Sequence, residues 1–123
     1  MVLANEEVIS ALLGAMVELD GYGAVFPAAD EPPLSAFTRH RPDLLLLDCE
    51  HEFAWDVQGI RSVRGAGAQV LLFSAMRSQR EIEQIAARYG VLAFTLPVTF
   101  RDFASHVDRT LGAGIDSTQA LGA

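Results

Sequence analysis

The chain of 123 residues carries a formal net charge of −7, and half of its residues are hydrophobic. This length and composition predict one globular domain with a modest core. The acidic balance argues against a nucleic-acid partner, because binding to phosphates needs a basic face. Basic residues form two small groups, at residues 39–41 and at Arg77 with Arg80, and we interpret both as solvated surface.

Membrane association and secretion are not expected either. No stretch reaches the roughly 20 apolar residues of a membrane span, and the first ten residues, MVLANEEVIS, lack the basic region of a signal peptide. The single cysteine, Cys49, excludes an intramolecular disulfide. Such cysteine usage is typical of a reducing compartment, and we expect a cytoplasmic protein.

The N-terminal half alternates short apolar runs with helical patterns. Residues 2–4 predict a first strand. The helix after it has apolar residues at helical spacing, namely Val8, Leu12, Met16 and Leu19, with Ile9 and Leu13 widening the stripe. Residues 24–28 predict a second strand, and a proline pair at 32–33 starts a second helix. Residues 44–47 are four consecutive leucines, which is typical of a central strand buried on both faces.

The same alternation continues in the C-terminal half. Helices are predicted at residues 55–64, after Ser78 and after Thr99, and strands at residues 70–73 and 91–95. Five strand–helix units predict an α/β fold with a single five-stranded parallel sheet and helices on both faces. We expect the domain to span residues 1–112, with residues 113–123 as a flexible C-terminal tail.

Polar residues follow three of the predicted strands: Asn5 and Glu6 after the first, Asp48 after the third and Ser74 after the fourth. Because the carboxyl ends of parallel strands lie at one edge of the sheet, we expect these side chains to lie close together. One polar strand end can be a simple loop start. Three at a single edge indicate a functional site.

Four segments, in this order and spacing, resemble the response-regulator receiver domain of two-component systems. They are RPDLLLLD at 41–48, the acidic pair after the first strand, LLFSA at 71–75 and LPV at 96–98. The resemblance covers residues 1–112 and implies the (βα)5 flavodoxin-like receiver fold. It also implies a signalling role in a phosphorelay rather than an enzyme, with a histidine kinase or phosphotransfer protein as partner.

The resemblance assigns roles to individual residues. Asp48 matches the phosphoacceptor aspartate, and Ser74 matches the hydroxyl residue that meets the phosphoryl group. Mg²⁺ is implied as cofactor, held by Asn5, Glu6, Asp48 and the backbone carbonyl of Glu50. The physical reason is that a carboxylate attacking an anionic phosphoryl group needs counter-charge in the site.

The sequence departs from the family pattern at three places. Leu96 precedes Pro97 where the family has a lysine, and the chain contains no lysine at all. Glu6 stands where the family usually has aspartate, and its extra methylene shifts a ligand of a cation that demands strict geometry. The loop after Asp48, CEHEFAWD, lacks the family's proline and glycine. We therefore expect an atypical receiver domain.

Two hypotheses remain open. In the first, Asp48 is phosphorylated and a surface responds to it. In the second, the domain is a phosphorylation-independent pseudo-receiver that acts as a protein–protein interaction module. In either case we expect no output domain after the last helix, and partners or a second copy dock on the face formed by the fourth helix, fifth strand and fifth helix. Phe100, Phe103 and Val107 lie in that last helix, where core packing also explains them.

Other chemistry is weakly supported. Asp48 to Glu52 are nearly all potential metal ligands, but adjacent residues do not converge easily on one ion. Cys49 is interpreted as a small apolar core residue rather than a reactive thiol. The chain lacks the GxSxG, GxGxxG and P-loop motifs, so we expect neither a hydrolase nor a nucleotide enzyme.

Overall fold

The computed structural model describes residues 1–122, and the side chains of residues 1–112. Its strands are β1 (Val2–Leu3), β2 (Leu44–Asp48), β3 (Gln69–Ser74) and β4 (Leu92–Thr95). Its helices are α1 (Glu7–Leu19), α2 (Pro33–His40), α3 (Val57–Gly65), α4 (Gln79–Tyr89) and α5 (Phe100–Gly122), with a short 3₁₀ helix at Glu52–Trp55. The tail predicted for residues 113–123 lies outside the residues whose side chains are described.

The strands form one parallel sheet in the order β1-β2-β3-β4. Helices cover both faces, which confirms the predicted α/β class. β2 and β3 are central, and residues 45–48 and 70–74 are buried throughout. A strand covered on both faces has no solvent side, which is why the four leucines show no alternation.

The predicted fifth strand is absent from the described residues, and the error lies at residues 24–28. This segment has no regular strand structure. It makes one strand-like contact, in which the Val2 amide donates to the Val25 carbonyl at 3.0 Å. Two features limit the pairing: β1 is only two residues long, and Pro27 has no amide proton to donate. The segment therefore runs beside β1 without forming a ladder.

Each face of the sheet carries its own hydrophobic cluster. One includes Leu45, Leu47, Val70 and Leu72 with residues of α2, α3 and α4; the other includes Leu46, Leu71 and Phe73 with residues of α1 and α5. Phe103 and Val107 of α5 are buried, as core packing predicts, whereas Phe100 is 42% exposed. Within residues 1–122, no helix is both long and apolar enough to cross a bilayer.

Helix α1 forms where predicted, and one side of its predicted apolar stripe meets the core. Of that stripe Leu13 and Met16 are buried and Ile9 is partly buried, while Val8, Leu12 and Leu19 are 79%, 50% and 75% exposed. The other buried residues of the helix are Gly14 and Val17. Because apolar residues surround most of this helix, helical spacing alone is satisfied by two different faces.

Two aspartates meet where α1 ends and α5 passes. Asp20 follows α1, and its Oδ2 is buried without a hydrogen-bond donor among the residues described. Asp108 of α5 accepts a hydrogen bond from the Tyr22 hydroxyl at 3.1 Å. Desolvation, together with the hydrogen bond and negative charge of Asp108, raises the pKa of Asp20 from 3.8 to about 6. We expect the two carboxyl groups to share a proton, which would satisfy the buried oxygen.

We expect Asp20→Asn to stabilise the protein at pH 7.5 by about 0.5–1 kcal/mol, a range appropriate to charge pairs with substantial solvent contact. The folded state holds its proton up to about pH 6, whereas the unfolded chain releases it near 3.8. Stability is therefore fully present below pH 3.8 and is lost as the pH rises through 6, and the asparagine removes that loss. Urea unfolding at pH 7.5 and 4.5 checks this.

The matched control for this prediction is Glu18→Gln, which removes an exposed acid from the last turn of the same helix. Both variants lose one negative charge near the C-terminus of α1, so a general effect of net charge or of the helix dipole would stabilise them equally. An equal gain in the two variants, or a gain for Asp20→Asn that is as large at pH 4.5 as at pH 7.5, contradicts the shared proton.

Candidate functional site

The carboxyl edge of the sheet brings together most of the residues singled out in the sequence. β2 ends at Asp48, β3 ends at Ser74, and Asn5 lies in the turn between β1 and α1. Parallel pairing puts all of these ends at one edge: Asp48 is opposite Phe73, and the Cys49 amide donates to the Phe73 carbonyl at 2.9 Å. Asp48 is only 5% exposed and Ser74 is fully buried.

Backbone amides fix the orientation of the Asp48 carboxylate. The Glu50 amide donates to Oδ1 at 2.9 Å, and the Asn5 amide donates to Oδ2 over a longer distance of 3.5 Å. These two bonds fix the orientation of the carboxylate at the end of β2, and Oδ2 accepts the longer of them.

The Asn5 side chain closes the space between β1 and the loop after β2. Its Nδ2 donates to the Glu50 carbonyl at 2.9 Å, the same oxygen that the resemblance assigns to Mg²⁺. Glu6 is exposed, at the N-terminal cap of α1, and makes no capping hydrogen bond there. The structure thus brings Asn5, Asp48 and Glu50 together and leaves the Glu6 side chain at the surface.

These groups fit a weak magnesium site. Turning the Asn5 amide by half a rotation would direct its oxygen, with the Asp48 carboxylate and the Glu50 carbonyl, into one space. Mg²⁺ in proteins is commonly bound by one or two carboxylates and keeps several waters, so three protein oxygens are sufficient. Among the described residues there is no cluster of three or more His, Cys, Asp or Glu side chains that could hold a metal.

Ser74 shapes the loop that leads into α4. Its Oγ accepts hydrogen bonds from the Met76 amide at 3.1 Å and from the Arg77 amide at 2.9 Å. The next residue, Ser78, forms the predicted capping box with Glu81. The Ser74 Oγ is therefore held at the end of β3 by two backbone amides, and its hydroxyl also lies beside the Cys49 thiol.

One part of the site was missed in the sequence. Arg77, which was interpreted as solvated surface, pairs with Glu50 through Nε and Oε1 at 2.6 Å, and both side chains are only about one third exposed (33% and 30%). The guanidinium lies 6.0 Å from the centre of the Trp55 ring, whose Nε1 donates to the Cys49 carbonyl at 3.1 Å. No spacing rule links these positions, because the contact joins two loops of different strands.

Cys49 and His51 serve the local structure. Cys49 is fully buried, and desolvation raises the pKa of its thiol, so the group stays protonated at neutral pH as a core residue does. His51 caps the short 3₁₀ helix, with Nδ1 accepting from the Phe53 amide at 3.0 Å. Neither side chain faces a ligand set among the residues described.

The place of the family's lysine is apolar. The Leu96 amide donates to the Ser74 carbonyl at 2.8 Å, so the residue lies beside the end of β3. Its side chain packs against the cluster that contains Phe73, Phe94 and Phe103. Phe94 itself is 1% exposed and lies in the core. Among the ion pairs described for Asn5, Asp48, Glu50 and Ser74, the cationic side chain is that of Arg77.

The fold is that of response-regulator receiver domains. A response regulator receiver protein from Burkholderia phymatum matches with a TM-score of 0.72 and 22% identity, over 90% of this chain and 92% of that one. A response regulator from Thermotoga maritima matches with a TM-score of 0.68 and 19% identity, over 91% and 95%. NtrX from Brucella abortus, solved in complex with ADP, matches with a TM-score of 0.80 and 18% identity, over 98% of this chain but 28% of that longer one.

These likenesses concern the fold, because the identities are low. No family model matches the sequence, and no curated protein does. The recognition made from the segments at 41–48, 71–75 and 96–98 is confirmed as a recognition of the receiver fold. The roles of individual residues stay predictions from the resemblance.

Proposed function

We propose that this domain is a phosphorelay switch in which Asp48 accepts a phosphoryl group from a histidine kinase or phosphotransfer protein. The observation that carries the proposal is the Asp48 carboxylate. It is 5% exposed at the carboxyl edge of the sheet and is oriented by the Glu50 amide at 2.9 Å. A purely structural strand end rarely keeps a buried carboxylate without a cationic partner.

The proposed step is a direct transfer from phosphohistidine. Asp48 Oδ2 attacks the phosphorus, the O–P bond forms as the P–N bond breaks, and the imidazole leaves with the electron pair and takes up a proton. Asn5 and the Glu50 amide hold the carboxylate in line for this attack. We expect the Ser74 hydroxyl, at the end of β3, to donate to an oxygen of the transferred group.

Mg²⁺ is part of the proposal. Asp48, the Glu50 carbonyl and the Asn5 amide oxygen would hold it, with Glu6 as a further carboxylate after a change of side-chain conformation. When bound, the ion neutralises negative charge on the transferring group. The cytoplasmic location, and a homodimer through the face formed by α4, β4 and α5, remain predictions that accompany this function.

A second candidate function is supported by two contacts of the same site. The Asn5 side-chain amide already donates to the Glu50 carbonyl at 2.9 Å. The apolar Leu96 packs against the core at the position where the family has a lysine. A site closed in this way favours a pseudo-receiver that binds partners without phosphorylation. The two candidates differ in one measurable property, the binding of a phosphoryl mimic at Asp48.

Amide NMR spectra with Mg²⁺, before and after addition of beryllofluoride, test the proposal. Beryllofluoride mimics an aspartyl phosphate, so the switch predicts shifts at Asn5, Glu50 and Ser74 that spread to residues 78–107. Asp48→Asn keeps the shape of the side chain, lacks the nucleophile and should abolish the response. No Asp48-dependent shift at millimolar beryllofluoride would favour the pseudo-receiver.

A further inference from the structure

Each partner of the Arg77–Glu50 ion pair is hydrogen-bonded through its backbone to a residue of the proposed site, Glu50 to Asp48 and Arg77 to Ser74. Glu50 donates its amide to Asp48 Oδ1 at 2.9 Å, and Arg77 donates its amide to Ser74 Oγ at 2.9 Å. The backbones of both partners are therefore fixed to the two side chains at the centre of the site. Their own side chains meet through Nε and Oε1 at 2.6 Å.

The guanidinium has hydrogen-bonding capacity beyond this pair. Arginine carries five N–H donors, and the contact with Glu50 uses Nε. The side chain is 33% exposed, so it can change partner without unpacking the core. The guanidinium carbon of Arg77 also lies 6.0 Å from the centre of the Trp55 ring.

Phosphorylation changes which anion attracts Arg77 more strongly. A phosphoryl group brings a charge of about −1.5 to −2 and three acceptor oxygens. Glu50 offers a single negative charge. Planar guanidinium groups favour phosphate oxygens, which they bind with two parallel hydrogen bonds. Leu96 is apolar and the chain has no lysine, so among the side chains paired with the site's described residues Arg77 is the cation available to add to the charge of Mg²⁺.

We propose that Arg77 is the counter-ion of the phosphoryl group on Asp48, and that it reaches this group by leaving Glu50. The inference rests on the proposed function, since it needs a charged group on Asp48. Arg77, in the loop after β3, would then neutralise the phosphoryl charge in place of the lysine that is missing at the end of β4. The Glu50–Arg77 ion pair would be present in the unphosphorylated protein and would break on phosphorylation.

The exchange has an optical signature. Trp55 is the only tryptophan of the chain, and the guanidinium lies beside its ring. Movement of Arg77 toward Asp48 removes a cation from the indole and changes its fluorescence. The fluorescence of Trp55 therefore reports the exchange directly, while NMR shifts at Asp48 report binding.

Titration with beryllofluoride in the presence of Mg²⁺ tests the inference. The unmodified protein is expected to bind with an Asp48-dependent change in Trp55 fluorescence. Arg77→Gln is expected to lose that change and to bind beryllofluoride about tenfold or more weakly, because a charge-assisted hydrogen bond is lost. Glu50→Gln removes the competing carboxylate and is expected to strengthen binding several-fold.

Arg80→Gln is the matched control. It removes an exposed arginine three positions on, in the first turn of α4, and leaves the site untouched. Arg77→Gln binding as tightly as Arg80→Gln, or Glu50→Gln binding more weakly than the unmodified protein, would overturn the role of Arg77 while leaving the phosphoacceptor intact. Absence of Asp48-dependent binding in the unmodified protein overturns the proposed function and this inference with it.

Discussion

Leu13→Ala is expected to lower the free energy of unfolding by about 2–5 kcal/mol, the usual cost of a cavity at a fully buried leucine. Leu13 is 0% exposed and belongs to the cluster between the sheet and helices α1 and α5. Urea unfolding followed by circular dichroism measures the effect. The size of the loss is a direct test of which face of α1 meets the sheet.

The adjacent residue supplies the control for that substitution. Leu12 is 50% exposed, and Leu12→Ala removes the same atoms from the same helix with the same change in helix propensity. We expect its effect to stay within about 0.5 kcal/mol. Equal losses for the two variants, or a larger loss for Leu12→Ala, would mean that the helix is rotated toward the stripe of Val8, Leu12 and Leu19.

Leu96→Lys is expected to raise the affinity for beryllofluoride about tenfold or more in the presence of Mg²⁺. The Leu96 backbone is hydrogen-bonded to Ser74 at 2.8 Å, so a lysine there would start from the same edge as Asp48. A charged hydrogen bond contributes about 1.5–3 kcal/mol, which is at least a factor of ten in affinity. Isothermal titration calorimetry or the NMR titration measures the gain.

Val98→Lys is the control for this gain of charge. Val98 is partly buried against the same cluster but lies two residues beyond Leu96, past Pro97. The Val98→Lys substitution adds the same charge to the protein, but at a position that is not hydrogen-bonded to Ser74. If Val98→Lys strengthens binding as much as Leu96→Lys, the effect reflects net charge alone. If neither variant changes the affinity, Leu96 does not occupy the position of the missing cation.

Much of the fold was predictable because it depends on local patterns. The runs at 44–47 and 70–73 are long enough and apolar enough to specify central strands, and the Ser78 capping box specified a helix start. One prediction failed and one was correct in part, each for a physical reason. The segment at 24–28 needs a longer partner than the two residues of β1. The predicted stripe of α1 contained the buried Leu13 and Met16 but also exposed residues, because the buried face depends on what packs against the helix.

The site divides in the same way. The positions of Asn5, Asp48 and Ser74 followed from strand ends, because topology alone puts those ends together. The Arg77–Glu50 pair did not, since it joins residues 27 positions apart through two loops. Nor does the sequence tell that Asn5 turns its amide toward the Glu50 carbonyl. Contacts between loops depend on side-chain conformation, and a strand pattern contains no information about that.

The sheet order has a consequence for the way the molecule folds. Val2 pairs with Leu46, 44 positions away, whereas Leu46 pairs with Leu71 over 25 positions and Leu71 with Leu92 over 21. The entropy lost in closing a loop grows with the length of the loop, and pairing through the two residues of β1 offsets little of that loss. We therefore expect the last three strands to assemble first and β1 to dock late. Since Asn5 follows β1, we expect the Asp48 site to be completed only in the final stage of folding.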